Sequence, residues 1–302
     1  MIQERPHLAR IVAHELATPI DPPVAAIAQA ARERHDAAVL AVLFYGSCLR
    51  DGYREGTLVD LYLLVEDYAG VHRSRPMRHL NRVVPPNVYY IETAHAGRTV
   101  RAKYALVSLP QFERRVRFTT SNPYFWARFA QPTGLLWARD ATTRERVTAA
   151  LTQAIATTER AARPLVGAAA GPAAVWSRAL AESYRTELRA EKPHRARTIV
   201  EHDAPRWRRV SDALAAGEGE PATETAEGAA RHWRRRRIEG KALSVLRLIK
   251  ASFTFAGGGD YLAWKINRHA AVPVEFTAWE RRHPLLAAPL VLWRLARCGV
   301  VR

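Results

Sequence analysis

The sequence predicts an α/β (α+β) chain in which a mixed sheet with flanking helices is followed by a mainly helical second domain. Three observations carry this. Residues 39–45 and 57–66 are short apolar runs separated by a polar loop, as two neighbouring buried strands require. The stretch "PPNVYYIETAHAGRTVRAKYALVSL" (85–109) reads as a β-hairpin with Ala96-Gly97 near its turn. From Pro110 onward the apolar periodicity becomes helical.

Taken in order, residues 5–40 read as helix broken at "TPIDPP", where proline removes a donor and stops the ladder. After the two strands and the hairpin, "FERRVRFTTSNPYFWARFAQPTGLLWA" (112–138) reads as helix, Asn-Pro break, second helix and short strand. Residues 140–215 read as helical, interrupted at "AAAGP" and "EKPH". "AGEGEPATETAEG" (216–228) has the composition of a loop or mobile linker, and a helix then runs through Ile249 to the turn "FAGGGD". Three segments are expected: 1–140 around the sheet, 141–255 helical with a linker near 216–230, and a basic, apolar segment at 256–302.

A chain of 302 residues can bury a sizeable core, and nearly half of its residues are apolar. Its two cysteines, Cys48 and Cys298, form no zinc or disulfide pattern, which fits a reducing compartment. Acidic residues at 4, 15 and 21 argue against a targeting leader, and no run of about 18 apolar residues predicts a membrane span. The net charge of +17, carried almost wholly by arginine, favours a polyanionic partner: nucleic acid, nucleotide or an anionic lipid surface.

The stretch "LFYGSCLRDGYREGTLVDLYLLVEDY" (43–68) carries the chemistry. A strand ends in Gly46-Ser47, and Asp60 follows on the next strand after twelve intervening residues. A glycine there lets backbone approach a triphosphate, while the serine hydroxyl and the start of a helix hold phosphate oxygens. Asp60 would hold a magnesium ion that bridges those phosphates. Positions 60 and 62 share one face of a strand, where paired carboxylates would share metals, but position 62 is tyrosine. This pattern resembles the signature of nucleotidyltransferases, whose fold is a mixed sheet flanked by helices.

A wider resemblance extends from about residue 43 to 215. "FYGSCL", "VDLYLLVEDYAGVH", "NVYY", "KYALVSL" and "IVEHDAPRWRRV" occur in an order and spacing similar to the mitochondrial-type phosphatidate cytidylyltransferases, the translocator assembly and maintenance family with bacterial relatives. That family shows Tyr-Gly-Ser-Gly, a Leu-Asp-aromatic strand, Val-Tyr-Tyr, Lys-Tyr-Gly and Ile-Val-Lys-Pro-Asn. Here Cys48 and Ala105 replace two of the glycines, and "EHDAP" stands for Lys-Pro-Asn. A non-acidic residue at the place of Tyr62 is in keeping with the resemblance.

The resemblance implies transfer of CMP from CTP to phosphatidate, giving CDP-diacylglycerol and pyrophosphate, by a Mg2+-dependent enzyme peripheral on the inner, cytoplasmic face of the cell membrane. It implies nucleotide contacts from Gly46, Ser47, Tyr62 and Lys103, with Asp60 and Lys103 catalytic. Asp60 and Glu92 would be metal ligands, Glu66 or Asp67 distant helpers, and His202, Asp203 and Arg206 substrate contacts. An anionic phospholipid surface is then the expected partner, with no stable nucleic acid partner.

Several residues have alternative readings. Lys103 lies on an apolar strand, where an unpaired lysine is costly, so it is expected to have a partner or a ligand. His72 reads more commonly as a helix-surface histidine, and His202 and Asp203, ahead of Pro205, as a helix cap. Trp207, Trp233 and Trp264 read as core. "HPLLAAPLVLWRLARCGVVR" (283–302) suits an interfacial helix on an anionic membrane or a helix docked on the protein. Two other functions share the same sequence features: nucleotidyl transfer to RNA or protein, and a non-catalytic scaffold that has lost its second carboxylate.

Overall fold

The computed structural model describes residues 5–254, apart from 168, 189–193 and 220–223, together with Thr277 and Trp279. The C-terminal segment, Trp264 and the "FAGGGD" turn therefore lie outside the described residues.

Helices α1 (Pro6–Leu16) and α2 (Pro22–Glu33) each begin with proline, whose fixed φ suits a first turn. They lead into β1 (Val39–Tyr45), the short α3 (Ser47–Asp51) and β2 (Leu58–Val65). Helix α4 (Arg75–Val83) precedes β3 (Asn87–His95) and β4 (Arg98–Ser108). Ala96 and Gly97 both have positive φ, as a two-residue hairpin turn demands. Helices α5 (Leu109–Arg115) and α6 (Trp126–Phe129) then flank the Asn-Pro break, and β5 (Thr133–Ala138) follows. The described residues beyond it are mainly helical: α7 (Ala141–Ala162), α8 (Pro172–Tyr184), α9 (Arg195–His202), α10 (Ala204–Ala213) and α11 (Ala226–Thr254). Helix α4 has no counterpart in the sequence reading, because arginines, a histidine, a proline and an asparagine leave the segment few apolar positions.

The five strands form one mixed sheet in the order β3-β4-β2-β1-β5. β2 runs parallel to β4 and antiparallel to β1; the other pairs are antiparallel. Both faces of the sheet are covered. On one, Val42, Phe44, Leu61, Leu63 and Leu106 pack with Val24 and Ile27 of α2. On the other, Leu43, Tyr62, Leu64 and Val107 join a larger core with α1, α6 and the helices from α7 to α10. Coverage on both sides explains why the central strands are almost continuously apolar rather than alternating.

The helices are tied to one another, and α11 to the segment before β3, by a few buried contacts. Trp176 and Trp207 pack ring to ring at 4.6 Å, and the Trp233 indole donates to the Ala161 carbonyl at 2.8 Å. The Arg206 guanidinium grips both Glu15 oxygens at 2.7 and 3.1 Å, joining α10 to α1. Lys250 of α11 donates to the carbonyls of Val84 and Pro86 and to the Asn81 amide oxygen.

Within the stretch expected as a linker near 216–230, described residues toward its two ends join the fold. Glu218 is buried, and its carboxylate accepts the backbone N–H groups of His7 and Leu8, each at 2.8 Å. It thus satisfies orphan donors at the start of α1, a cap supplied from elsewhere in the chain. At the other end, α11 already begins at Ala226.

His35 tests the packing of α2's end on the sheet. Its Nε2 lies 3.0 Å from the Tyr104 hydroxyl, with its ring against Tyr89 and Tyr104. Burial, then the charges of His72 and Arg34, lower its pKa to about 4 from 6.5. Between those values the unfolded chain binds a proton that the native state refuses, so stability falls on acidification from about 6.5 to about 4. Urea midpoints measured across that window should drop steadily in the wild type. They should drop less steeply in His35→Phe, whatever the mutant's absolute stability.

Candidate functional site

The candidate site lies where β1 ends and β2 begins. Gly46 has φ +90° and ψ −156°, a conformation open to glycine and strained for other residues. The Cβ that Gly46 lacks would stand 3.2 Å from Asp60 Oδ2, so the missing side chain is what lets the turn close on the carboxylate. Tyr45 stands opposite Asp60 on β1, and Lys103 stands opposite it on β4. Lys103 Nζ lies 3.1 Å from Asp60 Oδ1, the side chains being 34% and 24% exposed. The pair is thus neither sealed in the core nor fully solvated, a setting in which the lysine could turn to an anion and the carboxylate to a cation. The Ser47 side chain is exposed beside it.

Tyr62, expected at the nucleotide, is fully buried. Its ring meets Phe129 at 5.0 Å and Tyr45 at 5.5 Å, and its hydroxyl lies 3.4 Å from that of Tyr124. The two-residue period does put positions 60 and 62 on one face, but α6 roofs position 62 and leaves position 60 open. Burial, then Tyr124, raises the Tyr62 pKa well above the ordinary phenol value, so the residue is a neutral packing element.

Glu92, expected to face Asp60, instead stands opposite Arg101, whose Nε is 3.0 Å away, and accepts the Tyr90 hydroxyl at 2.6 Å. β4 separates it from β2, a distance of two strand spacings or about 10 Å. Mg2+ typically takes one or two carboxylates, several waters and the phosphates of its substrate. Asp60, close to the glycine turn and partly exposed, fits a metal brought in on a triphosphate; Glu92 is held by its own cation.

Glu66 and Asp67 lie at the far end of β2. Glu66 pairs with Arg139 at 3.4 Å, and Asp67 Oδ1 accepts the N–H groups of Ala69 and Gly70 at 2.6 and 3.0 Å, which makes it a turn residue. His72 is held by the Asn87 amide at 3.1 Å, and burial lowers its pKa.

The residues from the distant "IVEHDAPRWRRV" segment do come to the site. His202, Asp203 and Arg206 line a cleft of about 340 Å³ together with Gly46, so one glycine borders both the Asp60 carboxylate and this cleft. Asp203 caps α10, its Oδ1 accepting the Arg206 N–H at 3.3 Å, as its alternative reading predicts. Arg50 and Arg209 also line the cleft and escaped the sequence reading. Their only signal is spacing: each lies three residues beyond an identified residue, Ser47 or Arg206, on the same helix.

Arg128 was also missed. Its Nη1 lies 3.4 Å from the Tyr45 hydroxyl and its Nη2 3.3 Å from Glu187, with the guanidinium 4.5 Å over the Tyr124 ring. Burial opposes its charge, but Tyr124, Tyr45 and Glu187 outweigh that and hold it firmly protonated. Tyr45 is raised to about 12 by burial and then by the Asp60 carboxylate, so the charged groups around it are Asp60, Lys103 and Arg128. No sequence feature marks Arg128 among the chain's many arginines.

If Tyr62 is a packing residue, restoring a carboxylate there must fail. Tyr62→Asp removes a fully packed ring and buries a charge, a loss of about 4 kcal/mol or more. At about 2–4 °C per kcal/mol for a chain of this size, the melting temperature should fall by roughly 8–16 °C. Tyr62→Phe gives up a single long hydroxyl contact and should cost ~1 kcal/mol or less. Thermal melts of the two variants check this.

In comparisons with known proteins, no family model matches this chain and no curated protein matches it.

Proposed function

We propose that this chain is a nucleotidyltransferase that moves a nucleoside monophosphate from its triphosphate to a phosphate monoester, releasing pyrophosphate. The observation that carries the reading is the glycine turn closed on Asp60, with Lys103 paired to that carboxylate from the neighbouring parallel strand. The choice of CTP as donor and phosphatidate as acceptor follows the resemblance of the five ordered motifs, and gives CDP-diacylglycerol as product.

The chemistry asks little of the protein's acid–base groups. A phosphate monoester has its second pKa near 6 and is mostly dianionic at neutral pH, so the attacking oxygen carries no proton to remove. That oxygen forms a bond to the α-phosphorus as the bond from the α-phosphorus to the bridging oxygen breaks, and the electron pair leaves with pyrophosphate. The work left is positioning and charge neutralisation. Gly46 admits backbone to the phosphates, the Ser47 hydroxyl donates to them, and Lys103 opposes the negative charge. Asp60 would hold a magnesium ion, which would offset the charge developing on the phosphates. Tyr62 then needs no carboxylate in its place, because a second one would serve mainly to activate a hydroxyl that this acceptor does not have.

The setting is consistent with a lipid acceptor. Among the described residues no helix is long and apolar enough to cross a membrane. A net charge of +17 favours an anionic surface, and we place the protein peripherally on the cytoplasmic face of the cell membrane on that ground.

The test is product formation from radiolabelled CTP, Mg2+ and phosphatidate vesicles. Labelled lipid should appear with stoichiometric pyrophosphate and fall by ~10²-fold or more in Asp60→Ala and Lys103→Ala, both still folded by circular dichroism. Undiminished product in Asp60→Ala would remove Asp60 from the mechanism. Absence of transfer to phosphatidate and to other phosphate monoesters, with any nucleotide, would overturn the reading.

A further inference from the structure

We infer that the cleft between α1, α3, the start of β5 and the α9–α10 corner binds the phosphate of the acceptor, as a monoester dianion, separately from the nucleotide. The role of acceptor rests on the transfer proposed above; the binding chemistry does not.

The charges lining the cleft are unbalanced in a specific way. Arg50, Arg206 and Arg209 face it with His202, against two lining carboxylates, Glu15 and Asp203, and Arg50 is itself held by Asp51 at 3.1 and 3.2 Å. Both carboxylates are already engaged. Glu15 takes two N–H groups of the Arg206 side chain, and Asp203 caps α10. Arg206 is 1% exposed, yet its remaining terminal nitrogen, Nη1, has no hydrogen-bond partner. A buried donor left unpaired costs about 1–3 kcal/mol; Nη1 has almost no accessible surface, so an oxyanion in the cleft would relieve that cost only as the side chain shifts toward it. The guanidinium is also fixed in advance, clamped by Glu15 on one edge and lying 4.4 Å from the Trp207 ring. Arg209 is exposed and forms no ion pair among the described residues.

A phosphate monoester answers this arrangement. It carries close to two negative charges and three terminal oxygens at neutral pH, and guanidinium forks match such oxygens in pairs. A carboxylate would offer half the charge. Leu49, Pro132 and Ile199 supply the apolar part of the same wall, where the carbon skeleton bearing the phosphate would rest. Because Gly46 borders both the cleft and Asp60, an oxygen held here lies beside the place where the triphosphate is read to bind.

The experiment titrates the purified full chain with glycerol 3-phosphate by calorimetry, first alone and then with CTP and Mg2+ at saturation. Single-site binding is expected in both, since the two ligands take different places. Arg209→Ala should weaken it by ~10-fold or more, the scale of one lost charged hydrogen bond. Arg208→Ala, an exposed neighbour outside the cleft, should leave it unchanged. No saturable binding, equal affinity in Arg209→Ala, or displacement by CTP would each overturn the inference, the last by giving the cleft to the nucleotide's own phosphates. Binding with the expected pattern in a protein that transfers nothing would leave this site standing and fell the transferase reading. Transfer to phosphatidate that Arg209→Ala does not impair, in vesicles or with soluble acceptor, would do the reverse.

Discussion

The Asp60–Lys103 pair is the constraint around which the sheet is arranged. β2 is the central strand, hydrogen-bonded on both edges and covered on both faces, and Asp60 is its only charged residue. A carboxylate in such a strand is tolerable only where the cover stops and a cation stands opposite. Both conditions hold at one point: Lys103 meets Asp60 in register from a parallel strand, and the roof of α6 ends over Tyr62, one side-chain repeat further in. The parallel pairing matters, because it sends β4 through the sheet in the direction of β2 and brings the hairpin's lysine to the same end as the glycine turn.

Tyr62 follows from the same constraint. A strand that opens at position 60 and is covered at position 62 can carry one exposed carboxylate, and an apolar ring is what the covered place requires. What looks in sequence like a missing catalytic group is, in the fold, part of the contact that joins the sheet to the helical region. The chemistry compatible with a single carboxylate is transfer to a nucleophile that is already ionised, which is why a phosphate acceptor and a packed Tyr62 belong to one reading.

The large positive charge gains a local meaning from the fold. Several arginines on helices are held in ion pairs: Arg146 with Glu113 and Arg163 with Glu159 one to one, and Arg178, Arg185 and Arg237 sharing Glu182. Near the site the pairing is uneven. Buried Arg206 and half-buried Arg128 are each held by one acidic partner, Glu15 and Glu187, whereas the exposed Arg209 forms no ion pair among the described residues. Near the site, the uncompensated positive charge is that of Arg209, on the wall of the cleft.

The sequence by itself determined the strands, the hairpin turn and most helices, because each is written locally. Period-two and period-3.6 patterns, Pro at helix starts and Ala96-Gly97 at positive φ need only near neighbours to act. It also determined Gly46, Ser47, Asp60 and Lys103 as the residues of interest, through spacing and the cost of placing charge in apolar strands. Only the tertiary structure decided that Tyr62 is roofed by α6, that Glu92 is bound to Arg101 across β4 from Asp60, and that Glu218 caps α1 over two hundred residues away. It alone brought Arg50, Arg128 and Arg209 into place among the chain's many arginines. Those outcomes depend on which elements come to lie beside one another, and solvation, burial and charge pairing are properties of that arrangement rather than of any segment.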